Sequence, residues 1–268
     1  MERKAQEIET PPSIASVLRV RPFLFLWIAQ ALSQVAFNML NFVLILRVYQ
    51  LTSSNTAVAL LVLTFMLPQL ILSLFAGVLV DRFEKKLVML VTNAARAICL
   101  LPLIFVGANL AILYTAALGI AIVTQFFLPA EVPMIARLVG KKLLLPANAL
   151  FTGTLYGSII LGYILAGPSL KFFGAPLTFF LIAVGFIGAS ICNSLLPGNR
   201  GGSYLRSKFE LFLGLPYARL MTILLDDIGE MLFAIFRSTH VILAVLFLTI
   251  SQTVIVLLGA LLPGYVTT

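Results

Sequence analysis

Charged side chains are scarce: Asp, Glu, Lys and Arg make up 10% of this sequence, against about a quarter in soluble domains. With 61% hydrophobic residues, a soluble globular fold is excluded, and length bounds the number of membrane spans rather than the size of a water-excluded core. Cysteine is nearly absent. Cys99 and Cys192 both lie inside apolar runs, so neither a disulfide framework nor a thiolate metal site is expected. The one histidine, His240, stands where a mixed segment meets an apolar run and reads as a membrane-surface residue. No Asp or Glu falls within an apolar run. An intramembrane protease or lipid-modifying transferase needs clustered carboxylates with a metal, or a nucleophile with a base. The sequence offers neither, so it does not read as an enzyme, and no cofactor is expected. A Gly-rich Lys-Ser/Thr loop for ATP is missing. No cleavable signal peptide is expected, because the first 22 residues are polar or mixed and the next run is too long for an h-region.

What is present is a series of apolar runs punctuated by charge. The organising stretch is Gly77-Val78-Leu79-Val80-Asp81-Arg82-Phe83-Glu84-Lys85-Lys86, with uncharged residues from Thr56 to Val80 before it and a new apolar run from Leu87. At 1.5 Å rise per residue, 25 helical residues reach about 37 Å, enough to cross a hydrocarbon core of about 30 Å with some tilt. The decapeptide therefore reads as a tight charged turn between two spans. Spans are expected at about Phe23–Leu46, Thr56–Val80, Leu87–Val106, Leu110–Leu128, Ala147–Leu170, Pro176–Leu196 and Val241–Tyr265. Between the fourth and fifth, Pro129 to Lys142 reads as a cytoplasmic stretch.

The net charge of +8 is distributed as the positive-inside rule requires. Four Lys and Arg lie in the tail, three in the charged turn, three at 137–142 and five at 198–240, against Arg47 and Lys171 opposite and Arg96 within a span. This places the N-terminus in the cytoplasm of a multi-pass cell-membrane protein. Anionic lipid headgroups are the natural partners of such clusters, and no nucleic acid is. Residues 1–21 form a tail whose part near Val17 lies on the membrane surface. Residues 22–197 form six spans, 198–240 a cytoplasmic linker with amphipathic helices, and 241–268 a seventh span.

The charged turn resembles the helix 2–3 loop of the major facilitator superfamily, roughly G-x-L-a-D-R-x-G-R/K-R/K, with Gly77, Leu79, Asp81, Arg82, Lys85 and Lys86 matching and Glu84 standing where Gly is common. The resemblance runs from Arg21 onward. It is nearest the drug- and siderophore-exporter branch, through Asp81 to Lys86 followed by Arg96-Ala97, through Phe127-Leu128-Pro129-Ala130-Glu131 with Ala147-Asn148-Ala149-Leu150, and through Leu262-Pro263-Gly264-Tyr265. It implies an all-α integral membrane protein, with the six-helix N-terminal bundle of a major facilitator fold and the first helix of a second half. That layout looks like part of a longer transporter whose other half is missing or separate. Implied in turn is an exporter of small amphipathic compounds working by alternating access; the alternative is a non-transporting assembly or signalling module.

On that resemblance the turn is a gating latch, with Asp81 capping the third helix, Arg82 pairing with Glu131, and Arg137 on the facing stretch; the alternative is an orientation signal alone. On helix 1, Gln30, Ser33, Gln34, Asn38 and Asn41 share one face, either lining a substrate cavity or bonding helix to helix. Arg96, roughly 15 Å along the third helix, is read as a cavity cation or as a structural Arg bonded to a neighbouring helix. Gln125 is the one strongly polar candidate on helix 4. A proton-coupling acid must lie beyond this chain, be Glu131 at the membrane edge, or not exist. Gly162 to Gly167-Pro168 resembles the antiporter G-x-x-x-x-G-P motif and predicts close packing and a bend.

Overall fold

The computed structural model describes residues 13–106 and 109–198, and beyond them only 229, 237–239, 242–243, 246–247 and 250. The chain divides into two units, Met1–Leu213 and Gly214–Thr268, and the first holds nearly all of the described residues. The 198–240 linker and the seventh span fall almost wholly outside them.

The described residues of the first unit are helical almost throughout, in six elements: α1 (Ile14–Leu18), α2 (Arg21–Thr52), α3 (Asn55–Asp81), α4 (Lys85–Cys99), α5 (Leu101–Phe105) and α6 (Leu110–Ser194). Apolar length sets them, and short polar residues start them. Ser13 caps α1 in a capping box, Ser54 accepts from Ala57 N at α3, and Asn109 Oδ1 accepts from Ile112 N at α6; each satisfies an amide with no partner in the first turn. By length and composition α2, α3, α4 with α5, and α6 are able to cross a membrane. Their outward residues, such as Leu70, Phe105 and Leu145, are large and apolar, as lipid contact demands.

Element α6 has 85 residues, and a straight helix of that length would reach about 130 Å. It bends at Gly140 (φ 69°, ψ 175°) and Gly174 (φ 72°, ψ 175°). This backbone region is open essentially to glycine alone. The elbows make three limbs, 110–139, 141–173 and 175–194, which serve as the fourth, fifth and sixth spans. A Cβ at either glycine would meet nothing within 4 Å, so the whole penalty of a side chain there is backbone strain. Gly140→Ala and Gly174→Ala are each expected to cost about 1–3 kcal/mol, read as a lower thermal midpoint of the purified protein; an unchanged midpoint in both would remove the elbow argument.

Three local features go beyond these expectations. Residues 129–139 are helix continuous with the fourth span, although Pro129 and Pro133 lie within them. Ala130, Glu131, Met134 and Ile135 form one buried face there, and its packing holds the helix despite the missing proline amides. Within the third span the helix is interrupted at Leu100, and Pro102 opens the short α5 that completes it. Val17, in the part of the tail expected at the membrane surface, is fully buried against the bundle, in the cluster with Phe23, Leu26, Val80, Met89 and Phe127.

At the centre is α2, which packs most extensively on α6. The apolar core falls into two clusters. One holds Leu40, Val43, Leu44, Leu103, Leu113, Phe179 and Phe186, and the other is the Val17 cluster. Between them on α2 lie the buried polar residues Gln30 and Ser33.

Candidate functional site

The polar layer is built around Arg96. Thr92, Asn93 and Arg96 fall on one buried face of α4, as spacings of one, three and four allow. The Arg96 guanidinium is 3% exposed. Its Nη1 donates to Ser33 Oγ at 2.9 Å and to Asn93 Oδ1 at 3.2 Å, while Ser33 Oγ donates to Asn93 Oδ1 at 2.9 Å. Three rings surround it, with Cζ 4.6 Å from the Phe127 centroid, 5.6 Å from Phe186 and 5.9 Å from Phe37. Such contacts partly replace the water that a cation loses on burial.

Glu131, on the first limb of α6, is 2% exposed, and the charge acting on it is that of Arg96. No ion pair joins the two among the described residues. Glu131 Oε1, Arg96 Nε, Asn93 Nδ2 and Gln30 Oε1 are all buried without a hydrogen-bond partner. A buried acid and a buried base thus sit in one layer without satisfying one another.

A second feature opens beside this layer. A cavity of about 380 Å³ is bounded by Phe37 and Asn41 of α2, by Phe65, Gln69 and Ser73 of α3, and by Thr124 and Gln125 of α6, with Leu128 and Pro129 closing it. The Phe37 and Phe65 rings meet edge-to-face, centroids 6.2 Å apart at 88°. The lining is apolar with amide and hydroxyl tips and carries no charged side chain, the usual make-up of a small-molecule pocket.

The residues of the helix 1 face are therefore divided. Of the five, Asn41 alone lines the cavity, beside Gln125. Gln30 is buried, its Nε2 donating to Phe151 O at 3.4 Å. Asn38 Nδ2 donates to Ser158 Oγ at 3.1 Å and back to Gln34 O at 2.9 Å, and Gln34 is half-buried. The reason is angular: at 100° per residue these positions cover an arc of about 140°, wide enough on a central helix to face α4, α6 and the cavity in turn. Arg96 does not line the cavity, although its Cζ lies 5.9 Å from the centroid of Phe37, which does.

In the charged turn, Lys85 Nζ lies 2.8 Å from Asp81 Oδ1 and 2.7 Å from Val80 O. Asp81 is the last residue of α3, and the N-cap of α4 is Glu84, so Asp81 does not cap the third span. Nor does Arg82 pair with Glu131, which faces Arg96 instead. Lys86 Nζ donates to Leu196 O at 2.6 Å and Arg137 Nη2 to Gly198 O at 3.0 Å, two cations on carbonyls just past the end of α6, where the helix dipole is negative. Gly77 has open space around it, and so has Gly167, whereas Gly162 touches α2. Pro168 lies within the second limb.

Sequence reasoning missed Asn93, Phe37, Phe65, Gln69, Ser73 and Thr124. Asn93 carried a signal, since it precedes Arg96 by three residues and so shares its face. The α3 residues carried none, because a polar residue in an apolar run does not say which neighbour it meets.

Comparison with known proteins agrees with this architecture. The family model described as Major Facilitator Superfamily matches residues 26–268. A Bacillus subtilis (strain 168) protein described as an uncharacterized MFS-type transporter, YfiS, is 27% identical over 155 residues. That match takes in 58% of this chain and 37% of the relative's length.

Proposed function

Because the chain belongs to the major facilitator superfamily, we propose that it acts as a secondary transporter, exporting small amphipathic compounds by alternating access. The observation that carries the reading is the uncharged, aromatic- and amide-lined cavity between α2, α3 and the first limb of α6. A site of that make-up suits a ligand with a flat apolar body and a few hydrogen-bonding groups. The excess of Lys and Arg at one end of the spans supports a cytoplasmic N-terminus in the cell membrane. Glu131 is the acid placed to couple transport to protons, since it is buried and its Oε1 is unbonded.

The test uses Nile red, an uncharged amphipathic dye. A host lacking its own drug exporters is expected to accumulate several-fold less dye when it makes this chain. Gln125→Ala should restore accumulation by weakening binding, and Glu131→Gln by uncoupling extrusion from the proton gradient while binding persists. Equal accumulation with and without the chain would sink the export reading.

A further inference from the structure

Among the described residues, Phe37 is the one side chain that both lines the cavity and contacts the buried cation. Its ring lines the cavity and meets the Phe65 ring edge-to-face. Its centroid also lies 5.9 Å from Arg96 Cζ, and Arg96 itself is absent from the cavity wall. The other two rings around the guanidinium, Phe127 and Phe186, belong to the apolar clusters and line no part of the cavity. Arg96 keeps an unpartnered Nε at 3% exposure, so one buried donor of the guanidinium stands unused.

We propose that Phe37 sets the charge preference of the cavity: its ring screens Arg96 and keeps the site selective for uncharged ligands over carboxylate- or sulfonate-bearing ones. The inference rests on the transport reading of the same cavity. Without the ring, an anionic group at the α2 wall meets a cation through little but space, where a charge in a low-dielectric surround acts strongly. Glu131 offsets part of that field, yet its Oε1 is not bonded to Arg96, so the Nε donor stays available. An anion reaching it gains a charge-assisted hydrogen bond that an uncharged ligand does not need. Leu at position 37 would keep the bulk and the screen.

Two probes of one scaffold test this: uncharged N-phenyl-1-naphthylamine and its sulfonated counterpart, 1-anilinonaphthalene-8-sulfonate. Binding is read by energy transfer from Trp27, the sole tryptophan, so probe dissolved in detergent or lipid away from the protein contributes little. Wild type is expected to favour the uncharged probe. Phe37→Ala should shift the ratio of the two dissociation constants about tenfold toward the sulfonate, and Phe37→Leu should leave it near wild type. The sulfonate's gain in Phe37→Ala should fall with added salt. Equal shifts for both probes in Phe37→Ala would show a change of volume only and overturn the proposal, as would the same ratio in Ala and Leu variants. Gln125→Ala should weaken both probes; if it weakens neither, the cavity is not the ligand site and the transport reading falls with the screen.

Discussion

Arg96→Gln is expected to lower the amount of folded protein, by about 1.5–3 kcal/mol of stability, the usual worth of hydrogen bonds made by a charged group. The substitution strips the bonds from Nη1 to Ser33 and Asn93 and the contacts with three rings. It also leaves Glu131 buried with no opposing charge. The double variant Arg96→Gln with Glu131→Gln should recover a good part of the loss, because a neutral layer costs less than a lone charge. A double-mutant cycle on thermal midpoints, with the two singles, gives the coupling directly. Affinity for an uncharged probe should be nearly unchanged in whatever folds, since Arg96 is absent from the cavity wall. A variant of normal stability and altered affinity would put Arg96 on the ligand path instead.

Gly162→Ala is expected to destabilise by about 1–3 kcal/mol, the range for an added methyl in a packed contact. Its Cβ would lie 2.7 Å from Asn38 Cβ and 2.8 Å from Met39 N. The second of these atoms is backbone and cannot rotate away, so α2 and the second limb must separate. That movement also strains the bond from Asn38 to Ser158, and helices in lipid depend on such close approach because no hydrophobic force drives them together. Gly167→Ala is the control. Nothing lies within 4 Å of its added carbon, and alanine favours helix over glycine by up to about 1 kcal/mol. The two glycines of one motif should thus move the midpoint in opposite directions. If both variants lower it equally, the packing contact at Gly162 carries no special weight.

The spans were legible because an apolar run of helical length has few alternatives in lipid, and Ser54 and Asn109 stand at two of the starts. Much less of the site was legible. Pro129, Glu131 and Pro133 look like loop residues one by one, and only the buried face of Ala130, Met134 and Ile135 shows that the helix carries them inward. That is how an acid expected at the membrane edge turns out to be buried. The five polar residues of α2 suggested a single surface, but an arc on a helix surrounded by neighbours serves several. Gln125 and Asn41 stand out by their polarity alone, yet Gln69 and Ser73 gain meaning only when α3 is laid beside them. Sequence periodicity tells which way a side chain points along its own helix and nothing about what lies opposite.

The elbows of α6 have a mechanical consequence. Each joint is a single glycine in an extended backbone conformation, and the helix resumes at once on either side. Such a joint has no slack, so one limb cannot slide lengthwise past the next. Displacing the end of one limb therefore changes the angle at its joint with the next, and the fourth, fifth and sixth spans are coupled through two bends rather than independent rods.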